Sequence, residues 1–165
     1  MNEKLLFLVH AAVIAALYVV LTFLANLFGL SNYAIQVRFS EALTVLPLFT
    51  PAAVPGLAAG CLLANILTGC ALPDILLGTL ATLLGAVFTR LLRKHKWLAP
   101  IPPIAANTLI VPFVLRYVYG IRPLWLSFVT VCIGELISCG LLGGLLISLL
   151  WKYRGVLFSQ SSSYK

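Results

Sequence analysis

Acidic side chains are nearly missing from this chain. Glu3, Glu41, Asp74 and Glu135 are the only ones among 165 residues. Charged residues of both signs make up 9% of it, where soluble domains carry about 25%. So few charges cannot cover a water-facing surface, which excludes an ordinary soluble domain. Catalytic signatures are missing too. There is no GxxxxGK[ST] loop to cradle nucleotide phosphates, no HExxH helix and no ligand set around His10 or His95, and no GxSxG elbow. Cys61, Cys70, Cys132 and Cys139 form no CxxC and sit in apolar sequence, so they read as small buried hydrophobes. No enzyme, no resident metal and no cofactor is expected.

What is present is oil. The chain is 62% hydrophobic, with a mean hydropathy of +1.09. Unbroken runs such as AAVIAALYVVLTFLA (11–25) point to membrane-spanning helices. An outer-membrane barrel would show alternating segments of about ten residues. The net charge of +7 suits basic residues flanking spans on the cytoplasmic side better than a nucleic-acid partner. The apolar run 5–28 exceeds a signal-peptide core of about 7–15 residues, so it reads as a retained first span.

Four long segments stand out: 5–28, 71–90, 101–117 and 124–151. The region 42–68 is harder, because Pro47, Pro51 and Pro55 interrupt it. The basic residues decide. Splitting it into a short span near 42–49 and another near 52–67 gives six spans. With the N-terminus in the cytoplasm, Lys4, Arg90, Arg93, Lys94, Lys96, Lys152, Arg154 and Lys165 then lie inside, and Arg38, Arg116 and Arg122 outside. Eight against three follows the positive-inside rule. The expected fold is an all-α integral membrane protein. It is a compact bundle of six transmembrane helices with a short second helix and both termini cytoplasmic. Residues 1–155 form the single domain and 156–165 a disordered tail.

Polar groups inside such a bundle are costly. Glu135 lies about eleven residues into the last span, roughly 16 Å deep at 1.5 Å per residue. An acid there costs about 2.5–3.5 kcal/mol on insertion scales. It is either functional, or a structural partner of an arginine such as Arg38 or Arg116, or a protonated buried acid. Asn107 sits inside the fifth span and Asn65 near the outer end of the third. Tyr18, Thr22 and Asn26 recur every four residues on the first and share a face. Each amide or hydroxyl has an interhelical hydrogen bond as its plain alternative. With Glu135, Arg38 and Glu41 they are numerous enough to line one pocket. Asp74, following Pro73, reads as an N-terminal helix charge. Small residues recur at i, i+4: Ala11 with Ala15, Ala12 with Ala16, Gly56 with Gly60 and Gly140 with Gly144. Such pairs let helices approach closely.

The run VRFSEALTVLPLFTPAAVPGLAAGCLLANIL (37–67), with PDILLGTLATLLGA, PIPPIAANTLIVP and GELISC further on, resembles the QueT family. Its members are substrate-binding (S) components of energy-coupling-factor (ECF) transporters for queuosine precursors. The resemblance implies a bacterial plasma-membrane protein that captures a 7-deazaguanine, namely queuine or its aminomethyl or cyano precursor, outside the cell. It implies delivery inward with an ECF transmembrane coupling protein and two cytoplasmic ATPase subunits, which agrees with the missing phosphate loop. It also gives Ala11, Ala12, Ala15 and Ala16 a role as the face that docks the coupling protein. Within that frame Glu135, then Glu41, would accept the paired N–H groups of a guanine-like edge. Asn107 would bond the carbonyl or a ring nitrogen, with Asn65 also on the wall. Tyr33, Phe39, Tyr117 or Trp125 would stack on the bicycle, and Arg38 would orient Glu41. Two other readings stay open: an S component for another flat heterocycle such as a purine, pterin or thiamine-like compound, and a small membrane scaffold subunit that transports nothing.

Overall fold

The computed structural model describes residues 2–29 and 37–157. Among them the protein is all helical. Helix α1 spans Glu3–Leu27, α2 Ala53–Leu67, α3 Leu72–Leu91, α4 Ile101–Tyr117, α5 Leu124–Glu135 and α6 Gly143–Leu157. A 3-10 helix, Phe39–Leu48, precedes α2, and a π-helical stretch, Leu136–Leu142, joins α5 to α6 without a break. Four helical segments are long and apolar enough to cross a membrane: Glu3–Leu27, Leu72–Leu91, Lys96–Tyr117 and Leu124–Arg154. The 3-10 helix and α2 are the shorter apolar helices.

The expected short second helix is thus present, but as a 3-10 helix that begins at Phe39, not Ala42. Its residues from Ser40 to Leu48 are buried apart from a half-buried Ala42. Pro47 lacks the N–H an interior α-turn would use. The 3-10 geometry has a consequence for reach. Ten residues at about 2.0 Å each cover roughly 20 Å, against about 15 Å in an α-helix. The Pro51–Pro55 stretch then turns directly into α2.

Side-chain contacts fix which ends meet. Arg90 at the end of α3 donates to the Pro47 carbonyl at 3.1 Å. Phe49 packs edge-on to Trp151, with centroids 6.1 Å apart. The Lys96 ammonium lies 4.7 Å from the Trp151 ring and the Arg154 guanidinium 4.1 Å. One end of the bundle therefore collects basic residues and tryptophan. At the other, the Tyr119 phenol joins the turn before α3 by accepting from the Ala71 N–H at 3.2 Å.

Helices α1 and α2 run side by side in the same direction. A Cβ on Gly56 would come within 2.7 Å of the Ala11 carbonyl, and one on Gly60 within 2.7 Å of the Tyr18 Cβ. Glycine is required at both positions by this approach. The Gly140/Gly144 pair behaves differently. Its nearest neighbour to an added Cβ is Ile104 at 4.0 Å, and Gly144 faces open space. Helix α6 continues to Leu157, two residues beyond the expected domain end, and residues 158–165 lie outside the described residues.

The core joins the 3-10 helix and α2 to α1. Tyr18, Leu43, Leu46, Ala53, Leu57, Cys61 and Ala64 form one buried cluster. The outward faces carry Leu8, Val13, Phe23, Leu80, Phe88, Leu109 and Leu145, all exposed. Burying the polar groups and exposing the apolar ones is the arrangement a hydrocarbon solvent selects.

Candidate functional site

Five helical elements aim polar side chains at one interior point. Glu41 comes from the 3-10 helix, Asn107 from α4 and Glu135 from the end of α5. The Asn107 side-chain amide donates to Glu135 Oε1 at 3.0 Å and to Glu41 Oε2 at 3.4 Å. Tyr18 on α1 donates a short hydrogen bond to the other Glu41 oxygen. Cys139 in the π-helical stretch lies 3.1 Å from Glu135 Oε2 and 3.3 Å from the Glu41 carbonyl oxygen. One carboxylate oxygen each from Glu41 and Glu135 and the Cys139 sulfur lie within 4.8 Å of one another. All five of these side chains are buried: Tyr18, Glu41, Asn107, Glu135 and Cys139.

The local structure explains the convergence. The π-helical stretch begins at the residue after Glu135. Its wider turn puts Glu135, Ser138 and Cys139 all on the inward side. Ser138 accepts the Arg38 N–H at 3.1 Å, and Gly143 lets Val45 approach, since a Cβ there would meet its Cγ1 at 2.9 Å. Wide turns of this kind occur often at functional sites. Thr44 caps the Glu41 carbonyl at 2.6 Å, which secures the 3-10 turn carrying the acid.

Above this floor the bundle is hollow. Arg38, Glu41, Asp74, Gly78, Thr82, Asn107, Val111, Val131 and Glu135 surround a narrow space of about 20 Å³, room for about one water. It abuts a wider cavity of about 590 Å³, whose wall includes Thr22, Asn26, Arg38, Asn65, Asp74 and Tyr119. That volume lies within the usual range of small-molecule sites, about 300–1,000 Å³. Arg38, Asp74 and Val111 line both spaces.

Several expected site residues therefore meet and others do not. Glu135, Glu41 and Asn107 form the floor, and Arg38 and Asn65 the wall. Tyr117 is 78% exposed and Trp125 66% exposed. Both face outward, so neither stacks in the cavity. Each sits at the tip of its helix on the side away from the bundle axis. Phe39 is half-buried but lines neither space. Tyr33 lies outside the described residues. The Arg38 guanidinium makes no direct contact with the Glu41 carboxylate. The Glu41 N–H donates to the Arg38 carbonyl at 3.1 Å, but among the described residues no side-chain hydrogen bond or ion pair joins the two, and Tyr18 and Asn107 hold the carboxylate. Nor does Glu135 pair with an arginine, since Asn107 and Cys139 are its partners.

The alanine face also divides. Ala15 is buried and Ala11 half-buried against α2, while Ala12 and Ala16 are exposed. A four-alanine docking surface is not available, because the two glycines of α2 draw Ala11 and Ala15 inward.

Two residues were underrated in sequence. Asp74 is 8% exposed and accepts from the Tyr119 phenol at 2.9 Å. Its place after a proline suggested only a helix-end charge. Partial burial first, and then the Asp74 carboxylate, raise the Tyr119 phenol above its ordinary value. It therefore stays a donor at physiological pH. Tyr18 was legible only as one member of the Tyr18, Thr22, Asn26 stripe, whose three members do face inward toward the site.

The chemistry available is recognition. Two buried carboxylates, an amide and a third carboxylate nearby can bind a flat, donor-rich or cationic molecule. No curated protein and no solved structure is a match. Residues 8–152 match the family model described as QueT transporter. A wide hollow floored by polar groups, inside helices able to cross a membrane, is what a membrane transport protein needs, and the chain belongs to the QueT transporter family.

Proposed function

We propose that this protein is the substrate-binding component of an ECF transporter and that its cavity holds a 7-deazaguanine. The observation that carries the reading is the Asn107 amide. Its NH₂ group stands between the carboxylates of Glu41 and Glu135. The floor of the cavity is thus already arranged to receive an amino group between two acceptors. A guanine-type edge presents an amino group and a ring N–H side by side. It would take these carboxylates with charge-assisted bonds, about twice as strong as neutral ones. Asn107 is then released to meet the carbonyl or a ring nitrogen of the same ligand. Asn65 and Arg38 on the wall complete the polar contacts.

The wider cavity opens at the end of the bundle away from Arg90, Lys96 and Arg154. By the positive-inside rule that end faces outward. The proposed topology has six crossings, with the 3-10 helix and α2 as the short second and third, both termini cytoplasmic, and a bacterial plasma membrane as the setting. Residues 1–155 act as one unit. The protein carries no nucleotide loop of its own, so inward delivery falls to a transmembrane coupling protein and two cytoplasmic ATPases.

The test is to purify the protein from cells and identify by mass spectrometry what remains bound, then to measure binding of 7-deazaguanines directly. Retention of a deazaguanine, with submicromolar binding, is expected. Tight binding of a pterin or thiamine with indifference to every deazaguanine would reject the ligand assignment. No binding of any heterocycle would favour a scaffold.

A further inference from the structure

Asp74 has no task in the recognition of a guanine edge, yet it lines both the narrow space above the floor and the wide cavity. It is 8% exposed. Its one hydrogen bond among the described residues comes from Tyr119 and goes to Oδ2. Oδ1 accepts none among them and lies beside Gly78, itself on the wall of the narrow space, where an added Cβ would be 3.7 Å from it. A nine-tenths buried carboxylate that lines a hollow and leaves one oxygen unpartnered among the described residues is costly unless a cation or donor meets it.

Formal charge points the same way. The narrow space is bordered by three carboxylates, Glu41, Asp74 and Glu135, and one guanidinium, Arg38. No ion pair joins Arg38 to Asp74 among the described residues, so Asp74 is not neutralised by direct contact. The surplus of acceptors favours a ligand that brings positive charge as well as neutral N–H groups. Glu41 and Glu135 are grouped around Asn107 on the floor, whereas Asp74 reaches the wide cavity as well. A molecule held at the floor by one edge would carry its substituent past Asp74.

We infer that Asp74 is a specificity-determining residue, the anchor for a protonated amine on the arm of the ligand. This deepens the deazaguanine reading and rests on it. Aminomethyl-bearing 7-deazaguanines, with or without a further group on the nitrogen, carry such a cation. The cyano form does not, and leaves Asp74 facing a neutral nitrile. The width of the upper cavity leaves room for a substituent on the amine.

The test compares 7-aminomethyl-7-deazaguanine with 7-cyano-7-deazaguanine on wild type and on Asp74→Asn. Wild type is expected to bind the aminomethyl compound at least tenfold more tightly. Asp74→Asn is expected to lose most of that preference, with binding of the cyano compound held within threefold. The retained cyano binding also shows that the variant is folded. Tyr119→Phe, which keeps the carboxylate, is expected to keep the preference. Equal affinity of wild type for the two compounds overturns the inference and leaves the deazaguanine reading standing, and this comparison needs no variant. A loss of both ligands alike in Asp74→Asn overturns it too and makes Asp74 a structural partner of Tyr119. If wild type binds neither compound, the parent reading falls and takes the inference with it.

Discussion

Asn107 donates to Glu135 at 3.0 Å across the interface of α4 and α5. The bond ties two neighbouring helices deep inside the bundle. Removing the amide leaves two buried carboxylates without a common donor. A buried acceptor left unpaired costs about 1–3 kcal/mol. Asn107→Leu should therefore lower the melting temperature of the detergent-solubilised protein by about 5 °C. It should also weaken ligand binding at least tenfold. An unchanged melting curve would mean that the amide contributes nothing to holding the helices.

Glu135→Gln tests the floor itself. The variant keeps shape and one acceptor oxygen but puts an amide donor in place of the other, where a guanine-type edge presents its own N–H. Affinity for a 7-deazaguanine should fall at least tenfold, about 1.4 kcal/mol. Asn65→Ala alters the wall of the wide cavity, where the Asn65 side chain makes one hydrogen bond among the described residues, donated to the Cys61 sulfur at 3.5 Å. Its effect should stay within threefold. Isothermal titration of both variants decides, and the reverse order would move the recognition point from floor to wall.

The parts of this molecule that follow from solvent and charge could be read in the sequence. Hydrocarbon forces Glu135 and Asn107 to find interior partners, so their meeting was foreseeable from depth alone. The split of 42–68 followed from three prolines and the side on which basic residues collect. Other features depend on geometry that periodicity does not encode. The π-helical stretch after Glu135 has no proline to announce it, and Gly140 within it reads equally well as a packing residue. It arises where Ser138, Cys139 and Gly143 meet the 3-10 helix. Aromatic character alone could not separate Tyr119, whose hydroxyl reaches Asp74, from Tyr117 two residues earlier, which points outward. Asp74 does lie in the first turn of α3, as its place after Pro73 indicated, but that signal is silent about a cavity beside it.

The two glycine pairs should respond oppositely to alanine. At Gly60 the new methyl would lie 2.7 Å from the Tyr18 Cβ and 3.0 Å from the Ala15 backbone. Helix α1 must move, and Tyr18 moves with it, away from Glu41. Gly60→Ala should lower both melting temperature and ligand affinity. At Gly144 nothing lies within 4 Å. Gly144→Ala removes only glycine's conformational cost and should raise stability by about 0.5–1 kcal/mol. Equal effects at the two positions would contradict the α1–α2 packing.

Helix α1 offers a further contrast, between its inner and outer alanines. Ala12 and Ala16 are exposed, whereas Ala15 is buried against α2. If the smooth outer face docks the coupling protein, a bulky residue there blocks assembly but leaves the cavity untouched. Ala12→Trp and Ala16→Trp should bind the deazaguanine as wild type does, yet fail to co-purify with the coupling protein and its ATPases. Ala15→Trp has no space on the α2 side and should lose folding, and with it both activities. Co-purification assays alongside direct binding measurements separate these outcomes. Full assembly by Ala12→Trp and Ala16→Trp would place the docking surface elsewhere on the bundle, since a partner packed on those alanines could not accommodate two indoles.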